Sequence, residues 1–118
     1  MALLIRNADI INADSRYQAD ILCEGEKISR IDSQITPPAG AEVIDAAGKY
    51  VFPGFIDPHT HVYLPFMGTY SKDNYDTAGR AALIGGTTTI FDMCCPSRNE
   101  DAATGFATWN DQSLGKAA

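Results

Sequence analysis

The stretch PGFIDPHTHVYLPF, from Pro53 to Phe66, decides the predicted fold. It begins as an apolar strand, ends in polar residues, and contains the only two histidines of the chain, one residue apart. A loop with proline and glycine follows, so the polar residues lie where the strand ends. Residues i and i+2 of a strand point to the same face. We therefore expect His59 and His61 to project together from a strand end.

Two imidazoles on one side of a strand end can converge on a single ion, and imidazole is a common ligand of zinc and related transition metals. Asp57 lies two residues before His59 and shares its face. It could orient a histidine ring by accepting its N–H, or approach the metal directly. An isolated H-x-H pair is more often solvated or engaged in ordinary hydrogen bonds. The strand before this pair and the pattern after it favour a metal site at His59 and His61.

The residues after the histidine pair predict a βαβ unit and its continuation. Ser71 and Asp73 are expected to cap a first helix that Gly85 and Gly86 close. The next run, TTTIFDMCC, lacks polar alternation and predicts a parallel strand buried on both faces. A second amphipathic helix follows. The expected inward faces of the two helices comprise Tyr75, Ala78, Ala82 and Leu83 in the first, and Ala102, Phe106 and Trp109 in the second.

The residues before the histidine pair predict a different architecture. Six short runs, separated by turn residues, are β-branched or alternate between apolar and polar: ALLIR, ADIIN, QADILCE, KISRID, EVID and YVF. They predict antiparallel β-structure. The chain thus divides into a β segment over residues 1–52 and an α/β segment over residues 53–118.

Composition and charge exclude several classes of protein. The chain has 118 residues, 45% hydrophobic and 20% charged, which is typical of one globular domain with a modest core. Its net charge is -6 without any basic cluster, so nucleic acid and anionic membranes are not expected partners. The apolar start is too short for a signal peptide or a membrane span. Three cysteines without metal-binding spacing favour a reducing, cytoplasmic setting, with Cys94 and Cys95 packing at a strand end.

Several longer motifs resemble one known family. PGFIDPHTH is similar to the first barrel strand of the amidohydrolase superfamily, and HTHVYLPFMGTYSKDNYDTAGRAALIGGTTTIFD looks like the dihydropyrimidinase and D-hydantoinase family. RNADIINADSRYQADILCEGEKISRID resembles the β-sandwich lead-in of the same proteins. The resemblance implies an α/β fold with a β-sandwich segment over residues 1–52. Residues 53–118 would form the first two βα units of a (β/α)8 TIM-like barrel that is incomplete in this chain.

The resemblance also implies an activity. Members hydrolyse 5,6-dihydropyrimidines or 5-substituted hydantoins to N-carbamoyl amino acids, with two zinc ions per site, and the complete enzymes are homo-oligomers, typically tetramers. His59 and His61 would bind the more buried ion. The family's bridging carboxylated lysine, its further histidines and its catalytic aspartate are absent from this chain, and Lys72 and Lys116 do not match that lysine. The 118-residue chain alone is therefore predicted to be inactive.

The loop after the histidines bears on the substrate. Related dihydroorotases have an arginine for the substrate carboxylate where this chain has Tyr63, so a neutral cyclic ureide or imide is the expected substrate. The apolar loop from Leu64 to Ser71 suits packing against the ring or its 5-substituent. Leu64 and Phe66 are the candidate contacts, and they could equally be anchors of the loop itself. Asp92, near the end of the second strand, is the next candidate for the pocket wall.

A two-stranded parallel sheet cannot shield both of its faces and edges. We therefore interpret the sequence as the N-terminal part of a larger enzyme. The alternative is a non-catalytic truncated product or fragment that self-associates through its exposed strands. Non-catalytic relatives of the family, which act as cytoskeletal scaffolds, generally lack the histidine pair that this chain retains. The pair therefore favours the enzyme.

Overall fold

The computed structural model describes residues 1–66 and 68–116. The chain forms two compact units, Met1–Pro53 and Gly54–Ala118. No helix in the described part of the chain has the length and apolar character needed to cross a membrane.

The first unit is a five-stranded mixed sheet. Its strands are β1 (Ala2–Ile11), β2 (Arg16–Glu24), β3 (Lys27–Asp32), β4 (Glu42–Asp45) and β5 (Tyr50–Val51). β1 and β2 form a long antiparallel hairpin, and β3 extends it beyond β2. The order is β3-β2-β1-β4, with β5 also paired to β1.

The prediction of purely antiparallel strands in this unit is wrong for β4 and β5. Both run parallel to β1, with Leu4 opposite Val43 and Ile10 opposite Val51. Residues 33–41 carry the chain from the end of β3 back to the start of β1 before β4 begins. An alternating pattern specifies which face a residue occupies but not the strand's direction. The direction follows instead from the connection.

The runs ALLIR and ADIIN form one strand, β1, and not two. A bulge between Ile5 and Ala8 shifts the register against β2. Asn7 lies in this bulge with φ 58°, a left-handed conformation that asparagine tolerates better than most residues. Because a bulge adds one residue without ending the strand, it interrupts the alternation and imitates a break in the sequence pattern.

Asp20 holds this bulge in place from the neighbouring strand. Its side chain is buried, with Oδ1 accepting the Asn7 N–H at 2.9 Å and Oδ2 accepting the Ile35 N–H at 2.9 Å. The Arg6 Nε lies 3.9 Å from the same carboxylate. The two backbone hydrogen bonds, and to a lesser degree Arg6, hold the pKa of Asp20 below its ordinary value. The buried carboxylate of Asp20 therefore satisfies two backbone N–H groups that the strand pairing does not use.

Replacing Asp20 with asparagine is expected to destabilise the protein by about 1–3 kcal/mol at pH 7, because one buried N–H then faces an amide donor. The folded-state pKa of Asp20 lies below the unfolded value of about 3.9, so its contribution is fully present above that value and disappears as the pH falls through the folded pKa. Urea denaturation at pH 7 and pH 3 checks this. The gap between wild type and Asp20→Asn should narrow at pH 3, whereas the exposed control Asp14→Asn should match wild type at both. An equal gap at both pH values would contradict the assignment.

The core of the first unit lies on the hairpin β1–β2. It consists of two clusters of buried side chains, Ala8, Ile10, Ala19, Ile21 and Ala46 in one and Leu4, Leu22 and Ile35 in the other. Other apolar side chains on β3, β4 and β5 are exposed, among them Ile28, Ile31, Val43, Ile44 and Tyr50.

The second unit is a βα arrangement around two parallel strands. It contains β6 (Phe55–Thr60), β7 (Pro65–Phe66), β8 (Thr69–Tyr70), α1 (Tyr75–Ile84), β9 (Thr87–Asp92) and α2 (Ala102–Ser113). β6 pairs with β9 in parallel, and β7 pairs with β8 as a short hairpin. The predicted order of strand, loop, helix, strand and helix is thus observed.

The first helix is capped by Asn74 and not by Ser71 or Asp73 as predicted. The Asn74 side chain accepts the Thr77 N–H at 3.0 Å, and the Thr77 hydroxyl accepts the Asn74 N–H at 3.1 Å, which completes a capping box. Three candidate caps lie within four residues here, and in the structure Asn74 is the one that closes this reciprocal pair. The helix ends at Ile84 with Gly85 as its C-cap, as predicted.

The prediction that the second strand is buried on both faces is wrong for the described residues. In β9, Thr88, Thr89 and Phe91 are exposed and no residue is fully buried. The sheet has two strands, α1 packs on β9, and Ile90 also packs against the cluster that contains Trp109 of α2. This cover leaves much of the strand exposed within residues 1–66 and 68–116. The buried face of α2 is likewise narrower than predicted, since Trp109 is buried while Phe106 is 64% exposed.

Candidate metal site

The two histidines lie at the carboxyl end of β6. His59 is within the strand and His61 follows directly after its last residue, Thr60. The two rings converge, with the Nε2 atoms 3.3 Å apart and the ring planes inclined at 62°. Both side chains are exposed. The strand period therefore brings the two rings together at a solvent-accessible edge, as the sequence predicted.

The separation of the two nitrogens fits a shared metal ion. With zinc–nitrogen bonds of 2.0–2.1 Å and tetrahedral angles, two ligand nitrogens lie about 3.3–3.4 Å apart. The same distance lets one ring donate its Nε2–H to the other when no ion is bound. Structural zinc has four protein ligands and catalytic zinc three. In residues 1–66 and 68–116 no three His, Cys, Asp or Glu side chains converge on one point, so the pair provides two of the three or four protein ligands that a zinc site needs.

Asp57 organises the backbone around the first histidine. Its Oδ1 accepts the backbone N–H of His59 at 3.0 Å. The contact therefore reaches the amide of His59 rather than its ring. The expectation that Asp57 orients a ring stays a prediction, and the observed bond fixes the chain just before the ring-bearing carbon.

Cys95 approaches the second histidine from the loop that follows β9. Its Sγ lies 3.8 Å from Nδ1 of His61 and donates to the Met93 carbonyl at 3.4 Å. The sequence pattern predicted only packing for this cysteine. The available signal was positional, because the carboxyl ends of parallel strands meet at one edge. Cys94 and Cys95 both pack against the cluster around Val62, as predicted, and burial raises the pKa of the Cys94 thiol.

Asp92 joins the end of β9 to the turn after the histidines. Its Oδ1 accepts the Val62 N–H at 2.8 Å, and its Oδ2 accepts the hydroxyl of Tyr75. Tyr75 is buried at the start of α1, and burial together with this hydrogen bond raises the pKa of its hydroxyl. The sequence pattern indicated Asp92 as a candidate for the pocket wall. The structure shows it engaged by the backbone next to His61.

The loop beyond the histidines forms a braced hairpin. The Leu64 N–H donates to the Ser71 Oγ at 2.9 Å, and the Ser71 N–H donates to the Leu64 carbonyl at 2.8 Å. Tyr63 adopts φ 52°, an unusual conformation for an aromatic residue, and its ring stacks on Tyr70 with centroids 4.9 Å apart. These contacts fix where the apolar loop residues stand.

The two candidate substrate contacts line one cleft. A cavity of about 530 Å³ is bordered by Leu64 and Phe66 together with Cys95 and other residues of the two strand-end loops. Phe66 is 62% exposed and so is not an anchor of the loop core, while Leu64 is partly buried against the cluster around Val62. Met67 lies outside the described residues. Lys116, which does not match the family's bridging lysine, donates to the Asp111 carbonyl at 3.0 Å at the end of α2.

The site is a histidine pair at the end of β6, followed by a helix and a parallel strand. The chain that carries it also matches a known family. The model of the Amidohydrolase family matches residues 42–105, and the chain belongs to this family. Its relatives include cyclic amidases. The chain is 46% identical over 117 residues to D-hydantoinase of Geobacillus stearothermophilus, covering 99% of this chain and 25% of that protein. It is 40% identical over 113 residues to dihydropyrimidinase of Rattus norvegicus, covering 92% and 22%.

A solved structure is similar over the same range. D-hydantoinase (dihydropyrimidinase) from Thermus sp. superposes with a TM-score of 0.89 at 61% identity, covering 94% of this chain and 24% of that one. The chain therefore spans about a quarter of the length of the relatives it matches. Its mixed, sheet-rich fold is that of the corresponding part of a hydantoinase.

Proposed function

We propose that this chain is the N-terminal part of a metal-dependent cyclic amidase that opens 5,6-dihydropyrimidines or 5-substituted hydantoins to N-carbamoyl amino acids. The observation that carries the proposal is the pair of Nε2 atoms, 3.3 Å apart at a strand end, in a chain of the amidohydrolase family. Relatives named D-hydantoinase and dihydropyrimidinase support the reaction class.

In this proposal β6, α1, β9 and α2 are the first two βα units of a (β/α)8 barrel, and the first unit belongs to a β-sandwich. The order of the elements and the parallel pairing of β6 with β9 support the barrel. Active sites of such barrels lie at the carboxyl ends of the strands, where His59 and His61 are found.

The proposed roles follow from chemistry. His59 and His61 would hold one of two zinc ions, while Asp57 fixes the backbone of His59. A bound divalent metal supplies a lowered pKa for a coordinated water and polarisation of the substrate carbonyl. Two histidines are fewer than the three protein ligands of a catalytic zinc. The remaining ligands and the bridging carboxylated lysine would come from residues outside this chain.

The cleft beside the pair is proposed to receive the substrate ring. Leu64 and Phe66 offer apolar surface, and Phe66 is exposed enough to meet a ligand. Tyr63 stands where a carboxylate-binding arginine would be needed for dihydroorotate. A neutral cyclic ureide or imide therefore fits this cleft better than an acid.

The test uses the complete product of the gene that contains this chain, called here the full-length product. We expect bound zinc and hydrolysis of dihydrouracil and hydantoin. Dihydroorotate should react at least 10–100-fold more slowly, roughly the value of one missing charged hydrogen bond. The 118-residue chain alone should show no turnover. A preference for dihydroorotate, or unchanged hydrolysis after exhaustive chelation, would contradict the proposal.

A second candidate function is favoured by the exposed strands. Ile56 is 61% and Phe91 55% exposed on the paired strands β6 and β9, and Ile84 is 90% exposed at the end of α1. A non-catalytic product could bury this surface by self-association. Light scattering on the 118-residue chain distinguishes the two, because self-association without zinc or turnover in the full-length product would favour this candidate.

The proposal includes a cellular setting and an assembly. All three cysteines are free thiols, which supports a reducing cytoplasmic compartment. We further propose that the complete enzyme is a homo-oligomer, a tetramer by resemblance. The native mass of the full-length product tests that assembly.

A further inference from the structure

The peptide that follows His61 is held by a side chain from another strand. The Val62 N–H belongs to the peptide plane that also contains the His61 carbonyl, so its orientation is tied to the backbone conformation of His61. That N–H donates to Oδ1 of Asp92 at 2.8 Å. The bond bridges thirty residues of sequence and fixes the chain where it leaves the second histidine.

The strand that carries Asp92 is itself registered against the histidines. Asp92 lies opposite Thr60, the residue between the two histidines, and the Met93 N–H donates to the Thr60 carbonyl at 2.9 Å. The backbone on both sides of His61 is thus bonded to the end of β9. A shift of Asp92 would be passed directly to the turn that carries the ring.

Tyr75 anchors the carboxylate from the opposite side. Its hydroxyl donates to Oδ2 of Asp92, while its ring is buried with Val62 and Trp109. Tyr75 is also the first residue of α1, directly after the capping residue Asn74. The tyrosine therefore cannot move without disturbing a capped helix start, which makes it a rigid support.

We infer that Tyr75 and Asp92 are positioning residues that set the backbone of His61 and thereby the separation of the two metal-binding nitrogens. This inference rests on the proposed function, since it gives the pair a role toward the same metal. Partners that hydrogen-bond to metal ligands typically change metal affinity by about 10–100-fold. Here the partner acts on the ligand's backbone and not on its ring.

The test measures Co²⁺ binding to the full-length product by chelator competition and visible absorption. Asp92→Ala should weaken affinity by about 10–100-fold and Tyr75→Phe by about 10-fold, both with an altered absorption spectrum at saturation. Asp92→Asn retains an acceptor for the Val62 N–H and should restore affinity to within about 3-fold of wild type. Tyr17→Phe, which removes a tyrosine hydroxyl in the other unit, should leave both readouts unchanged.

The outcomes separate this inference from the proposed function. If the variants bind Co²⁺ as wild type does while His59→Ala does not, the positioning role is wrong and the metal site stands. If affinity falls only with the folded fraction and Asp92→Asn restores nothing, the pair is merely structural and the inference is again wrong. If wild type and His59→Ala bind alike, the metal proposal fails and the positioning role fails with it.

Discussion

Replacing His59 and His61 together with alanine is expected to abolish stoichiometric metal binding and to lower hydrolysis by the full-length product more than about 10³-fold. The loss should exceed the 10–100-fold typical of residues that only support a metal ligand, because two ligands disappear at once. Their Nε2 atoms are 3.3 Å apart, so each single variant leaves one nitrogen that cannot form the chelate alone. Metal analysis and initial rates on dihydrouracil measure both effects.

The residue between the histidines provides a matched control. Thr60 is half-buried, and its Oγ1 has no hydrogen-bond partner within residues 1–66 and 68–116. Thr60→Val keeps the shape of the side chain and removes this hydroxyl, so metal content and rate should equal wild type. Stability should not fall, since an unsatisfied buried hydroxyl is costly. Hydrolysis that survives the double histidine variant would show that the reaction does not use this pair.

Local patterns were sufficient for the features that depend on neighbouring residues. A strand places residues i and i+2 on one face, so HTH predicted converging rings, and the structure brings them to 3.3 Å. Gly85 and Gly86 marked the end of α1 because glycine favours helix ends. The apolar loop after the histidines left two readings open for Leu64 and Phe66, substrate contact or loop anchor, and the role in substrate binding stays a prediction.

The same local patterns could not predict contacts between residues that are distant in the sequence. Asp20 is a single polar residue in the apolar run ADILC, but its partners Asn7 and Ile35 become visible only once the bulge and the crossover are formed. The contact of Tyr75 with Asp92 joins a helix start to a strand end. Each side chain alone looks like a cap, a core aromatic or a solvated acid.

The prediction that β9 is buried on both faces was wrong for a different reason. A β-branched run without polar alternation predicts a strand covered on both faces. Thr88, Thr89 and Phe91 are exposed because the sheet has two strands and the described helices cover only part of β9. The composition of a strand reflects its surroundings in the whole protein, and this chain spans a quarter of its relatives.

The approach of β6 to β9 predicts the largest effect on stability. Gly54 directly precedes β6, and a Cβ at this position would lie 2.1 Å from Oγ1, 2.4 Å from Cγ2 and 2.7 Å from Cβ of Thr88. The Phe55 N–H donates to the Gly86 carbonyl at 2.8 Å, so the strands cannot separate without losing their first bond. Gly54→Ala is therefore expected to destabilise the protein by about 3 kcal/mol or more, the upper range for overpacking.

The atoms involved in this clash also indicate which second substitution should relieve it. Thr88→Gly removes all three atoms that a new methyl group would meet, so the double variant Gly54→Ala/Thr88→Gly should recover most of the loss. Glycine within a strand costs roughly 0.5–1 kcal/mol, which sets the shortfall that should remain. Gly85→Ala is the control, because its Cβ would lie at ordinary contact, 3.4 Å from the Ala82 carbonyl. Urea midpoints measure all four proteins. Equal stability of the two single glycine variants would mean that β6 can move away from β9, and the register that carries the histidines to the strand end would then not depend on this approach.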